Sequence, residues 1–134
     1  MNPPRCLAAT LVAIFAGAAL AGCTAKESES AKGGTATGTQ VSVNATDSGC
    51  ELSATESGTG STSFVVTNNG TKVTEFYVYG KDDRVLGEVE NISPGLQRTL
   101  DLKLDEPGSY RVACKPGMVG DGIRADFTVK RDQP

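Results

Sequence analysis

From Val41 to Val129 the chain is a succession of short segments of alternating polarity, each closed by a turn signal within about ten residues. No other feature of the sequence constrains the fold as strongly. Val41, Val43 and Ala45 alternate with Ser42, Asn44 and Thr46, as the two faces of a half-buried strand do. Asp47-Ser48-Gly49 reads as a turn, and Cys50-Glu51-Leu52-Ser53 opens a second extended piece that Gly58-Thr59-Gly60 breaks. Residues 62–67 form a third, with Phe64 and Val66 on one face, and Asn68-Asn69-Gly70 ends it. Residues 75–79, aromatic and β-branched, stop at Gly80-Lys81-Asp82-Asp83 and pair with 84–89 as a hairpin. Ser93-Pro94-Gly95 turns the chain into 98–104, where Leu100, Leu102 and Leu104 share one side. Glu106-Pro107-Gly108 leads into 110–114, and 125–129 closes the sheet. No stretch of helical period interrupts the series. Seven or eight such strands predict an all-β fold, a Greek-key β-sandwich. Sixteen glycines, no tryptophan and 38% hydrophobic residues suit a small β-rich domain with many turns. The Asn-x-Ser/Thr sequons at Asn44, Asn69 and Asn91 read as turn chemistry.

The first twenty-three residues set the compartment. Arg5 supplies a minimal positive region, and the apolar run 7–20 is short for a membrane span. Leu20-Ala21-Gly22-Cys23 then has the form of a bacterial lipobox, with small residues before a cysteine whose thiol would carry diacylglycerol. The alternative is an ordinary signal peptide with an incidental cysteine. Residues 1–22 are thus predicted as a lipoprotein signal peptide, and the protein as exported. Cys23 would anchor it by lipid to the outer face of the bacterial cell membrane or to an outer or periplasmic membrane surface. Residues 23–39 have almost no apolar side chains to bury and read as a lipidated, disordered tether. The domain proper spans 40–130, with 131–134 as a tail.

Charge and residue types then exclude functions. A net charge of −3 argues against nucleic acid as a partner and leaves room for a cation. With no histidine in 134 residues there is no Ser-His or Cys-His pair to generate a nucleophile. No Cys-x-x-Cys motif and no Gly-rich phosphate loop opening a helix is present. The sequence therefore predicts a binding module and not an enzyme.

Residues 110–123, Tyr-Arg-Val-Ala-Cys-Lys-Pro-Gly-Met-Val-Gly-Asp-Gly-Ile, run a strand into Cys114, a Pro-Gly turn and Met118. This resembles the metal loop of cupredoxins, with Lys115-Pro116-Gly117 in the middle of the loop. The blue-copper members use two imidazoles with one thiolate in a trigonal set, and this chain has no imidazole to offer, so no type 1 copper is expected. More specifically, Val-Thr-Glu-Phe-Tyr-Val-Tyr-Gly (73–80), Gly-Glu-Val-Glu-Asn-Ile-Ser-Pro-Gly (87–95) and Tyr-Arg-Val-Ala-Cys-Lys-Pro-Gly-Met (110–118), with Gly49-Cys50-Glu51 upstream, resemble the cupredoxin-like domain of EfeO. EfeO is an extracytoplasmic component of EfeUOB-type iron uptake systems. The resemblance covers roughly 40–129. It implies iron or copper held by Cys50, Glu75, Glu90 and Cys114, with Glu88 and Met118 as further candidates. It places Glu75 where the upstream histidine of a cupredoxin sits, and it implies an iron permease or an M75-like protein as partner. The His-x-x-Glu motif of the helical M75 or imelysin-like domain does not occur in these residues.

Each candidate also has a plainer use. Cys50 and Cys114 are the pair left once Cys6 is removed and Cys23 lipidated, and outside the cytoplasm they either form a disulfide or stay reduced as ligands. Glu75 is a strand-end residue facing water or a polar group aimed into a site. Glu88 and Glu90 flank Val89 and share one face, which suits a solvated edge as well as a site. Met118 suits packing and Asp121 turn chemistry. Two functions stay open: a metal-binding accessory lipoprotein linked to iron uptake, or a disulfide-stapled interaction or scaffold module without metal.

Overall fold

The structure, a computed structural model, describes residues 38–131. The signal peptide, Cys23, the tether as far as residue 37 and positions 132–134 lie outside the described residues. The described chain is all-β. Nine strands run in order: β1 Thr39–Ala45, β2 Cys50–Leu52, β3 Glu56–Gly58, β4 Gly60–Asn68, β5 Thr74–Tyr79, β6 Val85–Ile92, β7 Gln97–Leu104, β8 Gly108–Cys114 and β9 Ile123–Lys130. They form a four-stranded sheet ordered β2-β1-β4-β7 and a five-stranded sheet ordered β3-β9-β8-β5-β6. Among the described residues no helix is long and apolar enough to cross a membrane.

Alternation makes the sandwich. Val41, Val43 and Ala45 of β1, with Thr62, Phe64 and Val66 of β4, are buried on one face, while Phe76, Val78, Val112, Phe127 and Val129 face them from the other sheet. Three phenylalanines join the layers: Phe64 lies 5.5 Å from Phe76 and 5.2 Å from Phe127 between ring centroids. The extended piece expected after the first turn is two strands. Ser53, Ala54 and Thr55 carry the chain across, so that β2 pairs with β1 in one sheet and β3 with β9 in the other. Where β6 nears β7, Gly87 turns its bare Cα toward the partner sheet, and a Cβ there would stand 2.7 Å from Leu102 Cδ2. A bulge in β6 sets Thr74 against Ile92 but Phe76 against Val89, with Asn91 in the left-handed region at φ 56°.

The loops at one end are knitted by Asn68, which is 1% exposed. Its Nδ2 donates to the carbonyls of Ile92 (2.7 Å) and Lys72 (2.8 Å), and its Oδ1 accepts from Gly70 N–H (2.9 Å). Its main chain also bonds Leu96 and Gly95. Asp47 holds the neighbouring loop by accepting from the hydroxyl and N–H of Thr71 and the N–H of Lys72. Those bonds, the Thr71 hydroxyl foremost, hold its carboxyl below the usual carboxylate value against a smaller opposing effect of burial. At the other end Thr39 stands opposite Thr62, and Thr59 N–H donates to Lys130 O at 3.0 Å. Both chain ends of the sandwich therefore leave at the end remote from Asn68.

Candidate metal centre

Cys114 ends β8 on the inner face, fully buried, and is joined to Cys50 at the start of β2 with Cα atoms 5.5 Å apart. Of the two uses open to this pair, the structure has the disulfide. It crosses from one sheet to the other, and neither sulfur is a thiolate. The loop beyond folds as expected into a tight turn over Pro116–Met118, where Gly117 N–H donates to Val73 O at 2.7 Å. Met118 stands at φ 55° and is 39% exposed, so it is a surface residue of the turn.

Register decides where Glu75 points. Phe76 lies opposite Cys114, and the ladder continues with Glu75 opposite Lys115, whose main chains exchange hydrogen bonds of 2.8 and 3.4 Å. Alternate side chains of a strand lie on opposite faces, so Glu75 projects from the outer face while Cys114 projects into the core. The structure does not bring Glu75 and Cys114 to one point. It gathers a different set. Glu75, Tyr77 and Tyr79 line one row of the outer face, and Glu88 of β6 sits directly opposite Tyr77. Glu75 and Glu88 are the carboxylates nearest in register to Tyr77 on this face. Glu90, exposed beside the bulge, is not among the groups at that phenol.

The row is fixed from both sides. Tyr77 and Tyr79 stack with centroids 5.8 Å apart and planes 14° from parallel. Lys115 Nζ lies 4.0 Å from the Tyr77 centroid, and the Arg124 guanidinium 5.3 Å from that of Tyr79. Arg124 and Arg111 both donate to Asp83 Oδ1, at 3.4 and 3.2 Å. Burial first, then the Glu88 and Glu75 carboxylates, push the Tyr77 phenol far above its ordinary value. Glu75 is only 9% exposed, yet it forms no ion pair with a lysine or arginine among the described residues. Tyr77 was not singled out in the sequence, although the alternation Glu75, Tyr77, Tyr79 is the signal that puts these three on one face.

A sandwich whose last loop runs from a strand-end cysteine through a Pro-Gly-Met turn is of cupredoxin type. The chain belongs to the cupredoxin-like domain family, which it matches over residues 10–129. A search of curated protein sequences found no match. Among solved structures it is similar to the reduced auracyanin of the photosynthetic bacterium Roseiflexus castenholzii, at a TM-score of 0.51 and 16% identity over 72% of this chain and 99% of that one. It is also similar to auracyanin A, a "blue" copper protein from Chloroflexus aurantiacus, at 0.51 and 10% over 69% and 99%. A histidine-to-methionine variant of rusticyanin is similar at 0.55 and 17%, over 69% and 78%. At these identities the likeness is one of fold.

The residues present do not fit a blue-copper centre. The chain has no imidazole, the Cys114 sulfur is bonded to Cys50, and Met118 lies on the surface. Among the described residues no three Cys, Asp or Glu side chains converge where a metal ion could sit.

Proposed function

We propose that the protein is an extracytoplasmic metal-binding accessory lipoprotein of EfeO type, anchored through lipid on Cys23 and serving iron handling. The observation that carries this reading is Glu75: an acidic residue nine-tenths buried on an outer sheet face, with no ion pair to a lysine or arginine among the described residues. A bound cation supplies the missing charge. The Glu-Asn-Ile-Ser-Pro-Gly piece at 90–95 and the lipobox at 20–23 support the EfeO-type assignment and the anchor. On this reading the metal is bound and passed on without catalysis, and an iron permease or M75-like protein is the partner that takes it. The cross-sheet disulfide favours the second reading, a stapled interaction module without metal. Equilibrium dialysis of the full chain against iron and against copper, followed by elemental analysis of oxidised and reduced protein, separates the two. Retention of either metal supports the first reading, and retention of neither supports the second.

A further inference from the structure

We propose that a cleft at the chain-end pole of the sandwich docks on zwitterionic phospholipid headgroups, those that pair a phosphate with an ammonium, and so seats the domain on the bilayer that holds its anchor. This rests on the lipid-anchor part of the reading above and is independent of any metal.

The cleft has a volume of about 480 Å³, with the end of β7 on one side and the β5–β6 turn and β8 on the other. Its apolar lining is Leu86, Leu104 and Tyr110. Gly80 makes room for Leu86, because a Cβ there would stand 3.2 Å from both of its methyl groups. The Tyr110 hydroxyl donates to Glu106 O at 2.6 Å, which fixes the ring. Charges of both signs surround this lining. Lys81 and Glu106 meet at 4.0 Å with side chains 70% and 80% exposed, a pair of little worth that is free to exchange partners. Arg84 and Asp82 line the same cleft and take part in no ion pair among the described residues. Both belong to one turn, closed by Gly80 N–H donating to Arg84 O at 2.9 Å. Asp82 and Asp83 there occupy the left-handed region at φ 62° and 53°, a strain of the kind that gathers at ligand clamps. A phosphate suits the Arg84 fork with Lys81 as a second cation, and an ammonium suits Asp82 and Glu106. A purely anionic headgroup would leave the carboxylates unmatched, and a chain of net charge −3 opposes it. Position points to the bilayer as the source. Leu104 stands opposite Gly60 and Thr39 opposite Thr62, so the cleft lies at the pole where the chain enters β1. Cys23 is fifteen positions before Gly38, a reach of at most about 50 Å, so the anchor holds this pole towards the lipid.

The test is amide hydrogen exchange of the lipidated chain, produced with its own leader, in vesicles of phosphatidylethanolamine and phosphatidylcholine and in micelles of uncharged dodecyl maltoside. The expected result is slower exchange in the vesicles at residues 80–86 and 103–110, with no change around Asn68. Arg84→Ala and Asp82→Asn alter exposed side chains, and asparagine tolerates the left-handed region, so the turn is kept. Each is expected to lose the slowing while the protein still sediments with the vesicles. Phosphatidylglycerol vesicles are expected to slow exchange less. Exchange that does not differ between vesicles and micelles, slowing that survives both substitutions, or equal slowing on phosphatidylglycerol overturns the headgroup site and leaves the anchor standing. Equal slowing in micelles by soluble glycerophosphoethanolamine assigns the cleft to a free phosphate ester and overturns docking on the bilayer. A chain that fails to sediment with vesicles has no anchor, which overturns both the docking and the lipoprotein reading beneath it.

Discussion

Reducing the Cys50–Cys114 bond removes a cross-link that spans 64 positions and ties one sheet to the other. The closed loop holds roughly 65 residues, for which the chain-entropy relation gives about 4 kcal/mol at 25 °C. A domain of this size has a total stability of about 5–15 kcal/mol, so the bond accounts for a large share of it. The corresponding fall in Tm is about 15–30 °C. Reduction leaves both sulfurs in place, so it isolates the cross-link, whereas Cys50→Ala/Cys114→Ala also empties space in a core where these residues are 8% and 0% exposed. Urea unfolding followed by far-ultraviolet circular dichroism, with and without dithiothreitol, measures the difference. The reduced protein should unfold at a clearly lower urea concentration with a steeper slope, because its denatured chain exposes more surface. The double alanine variant should lie lower still. An unchanged midpoint after verified reduction would refute the loop-closure reasoning and place the stability in the sheets alone.

Asn68→Ala orphans the buried Ile92 carbonyl and the part-buried Lys72 carbonyl and Gly70 N–H at the loop end and should cost about 3 kcal/mol in chemical denaturation. A loss below about 0.5 kcal/mol would mean that water replaces the amide there. Gly87→Ala drives a methyl group into Leu102 and should destabilise by about 1–3 kcal/mol, unlike Gly95→Ala, whose Cβ meets open space but whose φ of 79° leaves only backbone strain. Asp47 titrates lower in the folded state, so its contribution is present above the unfolded carboxyl value and is lost as pH falls through the folded one. Asp47→Asn should accordingly flatten the acid arm of a stability-versus-pH curve below about pH 4, and an identical acid arm would contradict the clamp. Cys23→Ser should abolish labelling by a fatty-acid probe, and persistent labelling would refute the lipobox.

The fold was legible because alternation and turns are local properties. Val41-Ser42-Val43, Leu100-Asp101-Leu102 and Asn68-Asn69-Gly70 each report their own structure. The split into β2 and β3 was not, since nothing in Ser53-Ala54-Thr55 distinguishes a continuing strand from a crossing between sheets. The site was legible only in part. Glu75 and Glu88 were named, but the face on which Glu75 lies depends on the register of β5 with β8, and a shift of one residue would have reversed it. Pairing of distant strands leaves no trace in either segment alone. Tyr77 escaped for a simpler reason: an aromatic residue in a β-strand looks like core until its neighbours show that its row faces out.

The exit of both chain ends from the same side has a practical consequence for orientation. The chain enters β1 at Thr39 and leaves β9 at Lys130 on one side of the sandwich, and the opposite pole carries Asn68, the Pro116–Met118 turn and the Glu75 end of the tyrosine row. Immobilisation on a sensor through either terminus should thus give the same access to a soluble partner or ion. A flanking domain could be attached on either side without covering that pole.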